Sequence, residues 1–180
     1  MKKITNKTLN EKLDRIIALL QPEISGSPVP SEGGIRVIED DGKLKTSEIL
    51  NECRKLFKVW SFYSDEQLDK DFPPPKNPTS RKFKNVQEAD EDLKDKSAND
   101  LKKEGIEGIT LRERLLFELA YFKETGKHLD INNLTLCSGS RYSVGNVPCV
   151  GWSDFDGKLS VDYADPSFAD GLLRSRQVVS

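Results

Sequence analysis

Apolar residues recur at helical spacing near the start of the chain. Four of them follow the 4-3-4 rhythm of a coiled-coil seam: Leu9, Leu13, Ile16 and Leu20. Because this repeat spans less than two heptads, it predicts either an amphipathic helix that lies on the domain or an oligomerising arm formed by residues 8–20. We divide the chain into an N-terminal arm (1–24), a linker rich in Pro, Gly and Ser (25–34) and one domain (35–180).

The middle of the chain predicts a hairpin, a helix and a loop. IRVIEDDGKLK alternates up to Asp41-Gly42, a dipeptide typical of tight hairpin turns. In TSEILNECRKLFKVW, four residues share one helical face: Ile49, Cys53, Leu56 and Trp60. The prolines of DKDFPPPKNPTSRKFKN exclude a continuous helix, so this stretch is predicted to be a surface excursion.

The clearest helix is predicted for TLRERLLFELAYFKETG. Thr110 and Glu113 have the T-x-x-E spacing of a capping box, and Gly126 suits a left-handed C-cap. Its apolar stripe consists of Leu111, Leu115, Leu119 and Phe122. We expect this helix to lie in the core, anchored by Leu115 and Leu119.

After Leu129 the hydrophobic period changes from that of a helix to that of a strand. VPCVGWS and KLSVDYA both alternate, and DFDG between them predicts a turn. The residues expected to face inward are those that a strand core favours: Val150, Trp152, Leu159, Val161 and Tyr163. With two or three helices preceding a small antiparallel sheet, the pattern predicts an α+β domain.

The opposite face of these strands, with its loops, has an unusual composition. It contains Val, Phe and Cys at positions where Lys, Glu and Thr are the ordinary solvent-facing residues. Tyr and Phe supply large contact area at low entropy cost, while Ser, Asn, Gly and Asp supply adaptable hydrogen bonds, as in antibody paratopes. We predict that this face binds a ligand through Tyr142, Val144, Asn146, Cys149, Gly151, Ser153, Phe155, Asp156, Ser160, Asp162, Ala164, Ser167, Phe168 and Asp170.

One genetic mechanism produces this composition. An AAC or AAT codon varied only at its adenines encodes Asn, Ser, Asp, Tyr, Gly, Val, Ala, Cys, Phe and Leu, among others, but never Lys, Glu, Gln, Met or Trp. Every residue of the predicted binding face belongs to the permitted set, and no glutamate follows Glu124. Trp152, Lys158 and Gln177 lie outside it and are expected to be scaffold positions. A polar, loop-rich sheet is the alternative source of such a composition.

Several motifs between residues 109 and 180 carry a family resemblance. They are ITLRERLLFELAYFKETGKHLD, CSGSR, and the spaced patterns VP-V-W, L-V and P--A---LRSR-VVS. In these features the chain resembles the target proteins of diversity-generating retroelements, particularly the short variants of minimal bacterial and archaeal genomes and their phages. Those proteins usually have Trp-Tyr in the second hairpin strand, where this chain has Tyr163-Ala164.

The resemblance implies a C-type-lectin-like fold of the formylglycine-generating-enzyme branch, in which a rigid scaffold displays variable side chains. It implies that the predicted binding face lies in a variable region at about 137–180, with Arg174 and Arg176 as fixed scaffold. The expected function is ligand binding by an adhesin- or receptor-like protein. Its partner is an unknown protein or surface ligand, and neither catalysis nor a cofactor is expected.

Charge and hydropathy exclude two classes of partner. The net charge is -2 with many charges of both signs, which disfavours a nucleic-acid module with a basic face. No run of about 18 apolar residues is present, so no membrane span is predicted.

Glu11, Asp14 and Arg15 interrupt the first apolar stretch of the chain. This stretch is therefore a poor signal peptide, and the cytoplasm is the default location.

A small cysteine-dependent enzyme on the same fold is the alternative function. Its nucleophile and base would be Cys137 and His128. However, His128 follows a helix end, where a cation interacts favourably with the helix dipole. Cys137 follows an apolar strand, as a small buried core residue does.

The sequence predicts no metal site. The three cysteines, Cys53, Cys137 and Cys149, follow no ligand spacing known for zinc. Weak calcium binding, as in some lectin loops, is an alternative role for Asp40-Asp41 and for Asp154 and Asp156. These acids lack the spacing of an EF-hand loop, and turn formation is the favoured explanation of their positions.

Overall fold

The computed structural model describes residues 33–180. The predicted arm 1–24 and most of the linker 25–34 lie outside the described residues. The described chain contains four α-helices, α1 to α4, at Thr46–Arg54, Asp65–Asp71, Ala98–Lys103 and Leu111–Thr125, and a short 3-10 helix at Glu91–Leu93. Its strands, β1 to β7, are Ile35–Asp40, Val59–Ser61, Thr79–Lys84, Leu134–Leu136, Val147–Ser153, Lys158–Ala164 and Leu173–Arg174.

The strands form two sheets, and the architecture is α+β. β1 and β3 pair antiparallel, and the other five strands are ordered β2-β6-β5-β4-β7. β4, β5 and β6 run antiparallel to one another, whereas β2 is parallel to β6 and β7 is parallel to β4. The prediction of a purely antiparallel sheet is therefore wrong at both edges, because β2 and β7 enter through long connections rather than hairpins. The helices of the described chain also exceed the predicted two or three.

Helix α4 begins and ends where the sequence predicts. The Thr110 hydroxyl accepts a hydrogen bond from the Glu113 N–H, the Glu113 carboxylate accepts one from the Thr110 N–H, and Gly126 has a φ of 67°. Leu111 and Leu115 are fully buried, but Leu119 is only half-buried. The prediction that Leu119 is a core anchor is wrong because it lies at the rim of the β1–α4 interface.

Apolar cores lie on both faces of the five-stranded sheet. The larger one contains Val150, Leu159 and Val161 on the inner face, packed against α4 and α1. The smaller one contains Leu136, Val147, Cys149 and Ala164 on the outer face, packed against Leu101 of α3 and its neighbours. Because residues alternate along a strand, this second core buries positions that a one-sided sheet leaves in solvent.

Three local predictions for the first half of the domain are wrong. The segment around Asp41-Gly42 does not close a hairpin. β1 pairs instead with β3, inside the stretch predicted to be a surface excursion. The Asp40 carboxylate binds Arg112 of α4 and the chain then turns directly into α1. Trp60 is not helical, because α1 ends at Arg54 and Trp60 lies in β2.

The C-terminal segment connects the two sheets. β7 belongs to the five-stranded sheet, and five residues later the Val179 N–H donates to the Lys82 carbonyl of β3 at 2.8 Å. Between them, the Arg176 carbonyl accepts from the Ile109 N–H just before α4. None of the helices within residues 33–180 is both long and apolar enough to cross a membrane.

Candidate functional site

The predicted binding face divides into an exposed and a buried part. Ten of its positions are exposed or half-buried: Val144, Asn146, Ser153, Phe155, Asp156, Ser160, Asp162, Ser167, Phe168 and Asp170. The other four are buried: Tyr142, Cys149, Gly151 and Ala164. For these four, the prediction of exposure to solvent is wrong, although Cys149, Gly151 and Ala164 lie on the predicted outer face of the sheet.

The buried positions have separate structural roles. Tyr142 packs into the larger core, with its ring centroid 3.9 Å from that of Tyr63. Cys149 and Ala164 belong to the smaller core. At Gly151, a Cβ would lie 2.5 Å from Leu134 Cδ2 and 2.9 Å from the Asn133 carbonyl oxygen, so the neighbouring segment leaves space only for glycine.

The exposed positions gather most clearly at the turn between β5 and β6. An open depression of about 430 Å³ lies there, and we name it the hairpin groove. It is lined by Ile131, Asn132, Asn133, Leu134, Trp152, Ser153, Asp154, Phe155 and Leu172. The Phe155 side chain is 99% exposed and that of Leu172 is 60% exposed. An exposed cluster of large apolar side chains beside polar residues is typical of a surface that contacts a partner.

The wall of the hairpin groove is held in place by hydrogen bonds. The Leu134 N–H donates to the Leu172 carbonyl at 2.8 Å, and the Trp152 N–H donates to the Asp130 carbonyl at 3.0 Å. The Trp152 indole N–H donates to the Asp154 carboxylate at 2.8 Å, which fixes the ring at the base of the groove. The groove is therefore formed before a ligand arrives, and this reduces the entropy lost on binding.

A buried ionic network lies behind this wall. The Asp130 carboxylate accepts hydrogen bonds from Arg176 at 2.6 Å, from Arg114 at 2.9 Å and from the Thr135 hydroxyl. Arg114 also pairs with Glu118 at 2.9 Å, and all these groups are buried. Burial lowers the pKa of Arg114, but the Asp130 and Glu118 carboxylates outweigh it, and the net shift is upward. The network keeps residues 130–135 in one position.

A second exposed region lies at the free edge of the five-stranded sheet. Trp60 of β2 pairs in register with Ser160 of β6, so both side chains project from the outer face. Phe62 is 52% exposed, and its ring centroid lies 4.7 Å from that of Tyr163. Tyr163 is predicted to face inward, yet it is partly exposed, because β2 ends opposite Val161 and leaves Tyr163 without a partner residue on that side.

Sequence reasoning missed Trp60 and Phe62 as surface residues. The apolar spacing from Ile49 to Trp60 predicts a helix through Trp60, whereas α1 ends at Arg54. A signal was present, because Val59 and Ser61 alternate with Trp60 and Phe62 at the period of a strand. These aromatic residues lie beside the predicted positions Ser160 and Asp162 and extend the candidate surface.

The residues of the alternative enzymatic hypothesis are not available for catalysis: the cysteines are buried, and His128 is engaged in other contacts. All three cysteines are buried, and burial raises the pKa of Cys53 and of Cys149 to about 12, and also raises that of Cys137. His128 stacks on Trp152 and its Nδ1 lies 2.8 Å from a Glu118 oxygen. Thiol catalysis needs an accessible thiolate, which this environment disfavours.

Within residues 33–180 no group of three or more His, Cys, Asp or Glu side chains is arranged to hold a metal ion. The Asp40 carboxylate, one of the acids considered for calcium, is occupied by Arg112 at 2.6 and 2.8 Å. The Asp41 carboxylate accepts from the N–H and the ammonium group of Lys43.

Comparison with known proteins identifies no relative. No protein-family model, no curated protein and no solved structure matches the chain.

Proposed function

We propose that this chain is a ligand-binding protein, adhesin- or receptor-like, that displays a diversified surface on a C-type-lectin-like scaffold. In this proposal it is the target of retroelement-driven sequence variation and has no enzymatic activity. Its partner is a protein or a surface ligand. This partner contacts the hairpin groove and the loop between β6 and β7.

One observation carries the proposal. Phe155 is almost fully exposed at the mouth of a groove that also contains Ile131 and Leu172. A phenyl ring held in water contributes nothing to folding, since it buries no area against the domain. Exposed aromatic residues of this kind anchor interfaces, where their truncation costs about 2 kcal/mol or more of binding free energy.

The exposed positions support a variable region of residues 144–170, which is narrower than the 137–180 expected from the sequence. The exposed positions of the predicted face all belong to the residue set reachable by varying adenines. Five of the ten lie in the β5–β6 turn and in the loop that precedes β7, and the other five lie just before β5 or within β5 and β6. Substitutions at such exposed sites change stability by only about 0.5 kcal/mol, so the scaffold tolerates exchange there.

The cysteine-dependent alternative receives no support from the site. Cys137 is completely buried and Cys149 lies in the smaller core, so a substrate has no access to either sulfur in the folded chain. Their raised pKa values keep both thiols protonated at neutral pH.

The coding region tests the retroelement part of the proposal. We expect a nearby reverse transcriptase gene and an imperfect repeat of the final coding segment. In the codons for Ser153, Phe155, Ser160 and Asp162, every base that differs between the gene and the repeat should be an adenine in the repeat. If such a repeat is missing, or if its differences fall on codons for buried residues, this part of the proposal is wrong.

Two display libraries test the binding part. The first randomises the ten exposed positions, and the second randomises Tyr142, Cys149, Gly151 and Ala164. We expect the first library to be displayed at the level of the parent and to yield binders to a panel of purified proteins. The second should lose surface display because its positions are buried. A first library that folds but yields no binders contradicts the proposal.

A further inference from the structure

Arg141 differs from every other arginine between residues 33 and 180. It ends the CSGSR turn, where its Nη1 donates to the carbonyl oxygens of Ser138 and Ser140, both at 2.8 Å. Its Nε and Nη2 have no hydrogen-bond partner within the described chain. Those two groups form the side of the guanidinium that binds a carboxylate through two parallel hydrogen bonds.

The other seven arginines of the described chain are each paired with a carboxylate. The partners are Glu124 for Arg36, Asp65 for Arg54, Glu107 and Glu113 for Arg81, Asp40 for Arg112, Asp130 and Glu118 for Arg114, Glu91 for Arg174 and Asp130 for Arg176. Arg141 is partly buried without such a partner, and this burial lowers its pKa. A partly desolvated cation with no counter-charge attracts an anion from solution.

A cavity of about 390 Å³ adjoins Arg141. Its apolar part is the half-buried Ile106, above a floor formed by the almost fully buried Ala98 and Leu101 of α3. Lys102 adds a second cation to the lining. The lining also includes Glu107, whose carboxylate is engaged by Arg81 at 2.6 Å. The cavity therefore combines an apolar surface with two cationic groups.

The wall that carries Arg141 is rigid. A Cβ on Gly139 would lie 2.4 Å from the Gly108 carbonyl oxygen, so the turn rests directly on the preceding backbone. The Gly139 N–H donates to the Ile109 carbonyl at 3.1 Å, and the Ser138 and Ser175 hydroxyls are 2.9 Å apart. Arg141 is thus positioned before any ligand binds.

Arg141 also lines a neighbouring cavity of about 310 Å³, in which three arginines face the carboxylates of Asp40, Asp71 and Glu113. The other two arginines there are already paired, Arg112 with Asp40 and Arg81 with Glu113, so this cavity adds no unpaired cation to Arg141. The anion is expected on the side of Lys102.

We propose that the cavity between α3 and the CSGSR turn binds the carboxylate of a small amphipathic ligand, with Arg141 as its bidentate partner. The apolar tail of the ligand packs against Ile106, and Lys102 adds electrostatic attraction. This site shares no residue with the hairpin groove and does not depend on the proposed display function.

Titration of the ¹⁵N-labelled protein with sodium octanoate tests the site directly. We expect the Arg141 Nε–H resonance to shift and to saturate with octanoate, and to stay in place with neutral octanol. Inorganic phosphate should bind more weakly than octanoate, because it makes no use of the apolar surface. No saturable shift with octanoate overturns the proposal, and equal binding of phosphate overturns the amphipathic ligand class.

Variants separate the role of Arg141 from a general loss of fold. Arg141→Gln should weaken octanoate binding roughly tenfold, as expected when a charge-assisted bidentate contact is lost. Arg141→Lys should weaken it less, since it keeps the charge without the planar fork. Because these changes also affect the turn, Lys102→Gln at an exposed position provides a second variant that should weaken binding with unchanged melting. Arg54→Gln, at a distant surface pair, is the control and should bind normally. Unaltered octanoate binding in both Arg141→Gln and Lys102→Gln contradicts the proposal.

Discussion

The indole of Trp152 lies flat against the imidazole of His128, with ring centroids 3.4 Å apart and planes inclined by 5°. Phe57 contacts both rings edge-on, and Phe122 stacks on the far side of His128. The Trp152 side chain therefore belongs to the aromatic packing of the domain and also lines the hairpin groove. This double role separates it from its neighbour Phe155, which contacts solvent.

Trp152→Ala and Phe155→Ser should have opposite consequences. Loss of the indole should reduce the free energy of unfolding by about 3 kcal/mol, because it opens a cavity beside His128. Loss of the Phe155 ring should change it by no more than about 0.5 kcal/mol while altering ligand binding. Urea unfolding followed by circular dichroism measures both. Equal destabilisation by the two variants shows that Phe155 is a core residue and not part of a display surface.

Gly151→Ser should destabilise the domain although serine is in the permitted codon set. Its Cβ would clash with Leu134 Cδ2 and the Asn133 carbonyl, and such overpacking costs about 1–3 kcal/mol. Ser160→Ala, at the position paired with Gly151, is the matched control and should be within about 0.5 kcal/mol of the parent. Thermal melting of the three proteins distinguishes them, and a neutral Gly151→Ser restores this position to the variable set.

Asp130→Asn should be among the most damaging single substitutions. It leaves the buried guanidinium groups of Arg114 and Arg176 without their shared carboxylate. Removing one partner of a buried ion pair costs about 3–5 kcal/mol. Asp156→Asn in the exposed hairpin turn is the control, with an expected change near zero. Chemical denaturation gives both values, and a small effect at Asp130 means that the network contributes little to stability.

Leu115→Ala and Leu119→Ala compare two leucines of one helical stripe. Leu115 is fully buried, so its truncation should cost about 2–5 kcal/mol. Leu119 is half-buried, and its truncation should cost less than about 2 kcal/mol. Equal losses in urea unfolding indicate that Leu119 is covered in solution.

Stability should fall as the pH rises above about 8.5, the ordinary pKa of a free thiol. Burial raises the pKa of Cys53 and Cys149 to about 12, so in this window the folded chain keeps thiol protons that the unfolded chain releases. The stabilisation is complete below about pH 8.5 and is lost progressively towards pH 12, at up to about 1.4 kcal/mol per pH unit for each thiol. Urea unfolding between pH 8 and pH 9.5 measures the slope, and a Cys53→Ala, Cys149→Ala variant should make it shallower, with the remaining slope due to buried Cys137. An unchanged slope in this variant assigns the pH dependence to other groups.

Local signals made the central helix predictable. The T-x-x-E capping box and Gly126 specify both ends of α4 through contacts within one turn of the chain. The β5–β6 hairpin was predictable for the same reason, since DFDG and the flanking alternation are local. In contrast, the partner of β1 was not predictable, because β3 follows it in sequence only after α1, β2 and α2.

The candidate surface was only partly predictable because alternation identifies two faces but not what covers them. Ser160 and Cys149 share the outer face. Ser160 is half-buried, whereas Cys149 is buried in the smaller core together with Leu101 of α3. A polar composition near Cys149 gave no sign of the small helix α3 that packs there. Arg141 was missed for another reason. A sequence does not show which arginines are paired with carboxylates, so an arginine without a carboxylate partner is recognised only in the structure.

The position of the Arg176 side chain has a consequence for synthesis on the ribosome. Its guanidinium donates to the carbonyls of Val86 and Gln87 and to Asp130, and its neighbour Val179 bonds to Lys82. A nascent chain that has not yet released residues 173–179 lacks β7, the buried cation beside Asp130 and the bridge to β3. Helices and the β5–β6 hairpin can form earlier, but the two sheets can be joined only after translation has passed this segment. Premature termination before Leu173 should therefore yield a chain that is recognised by proteases as unfolded.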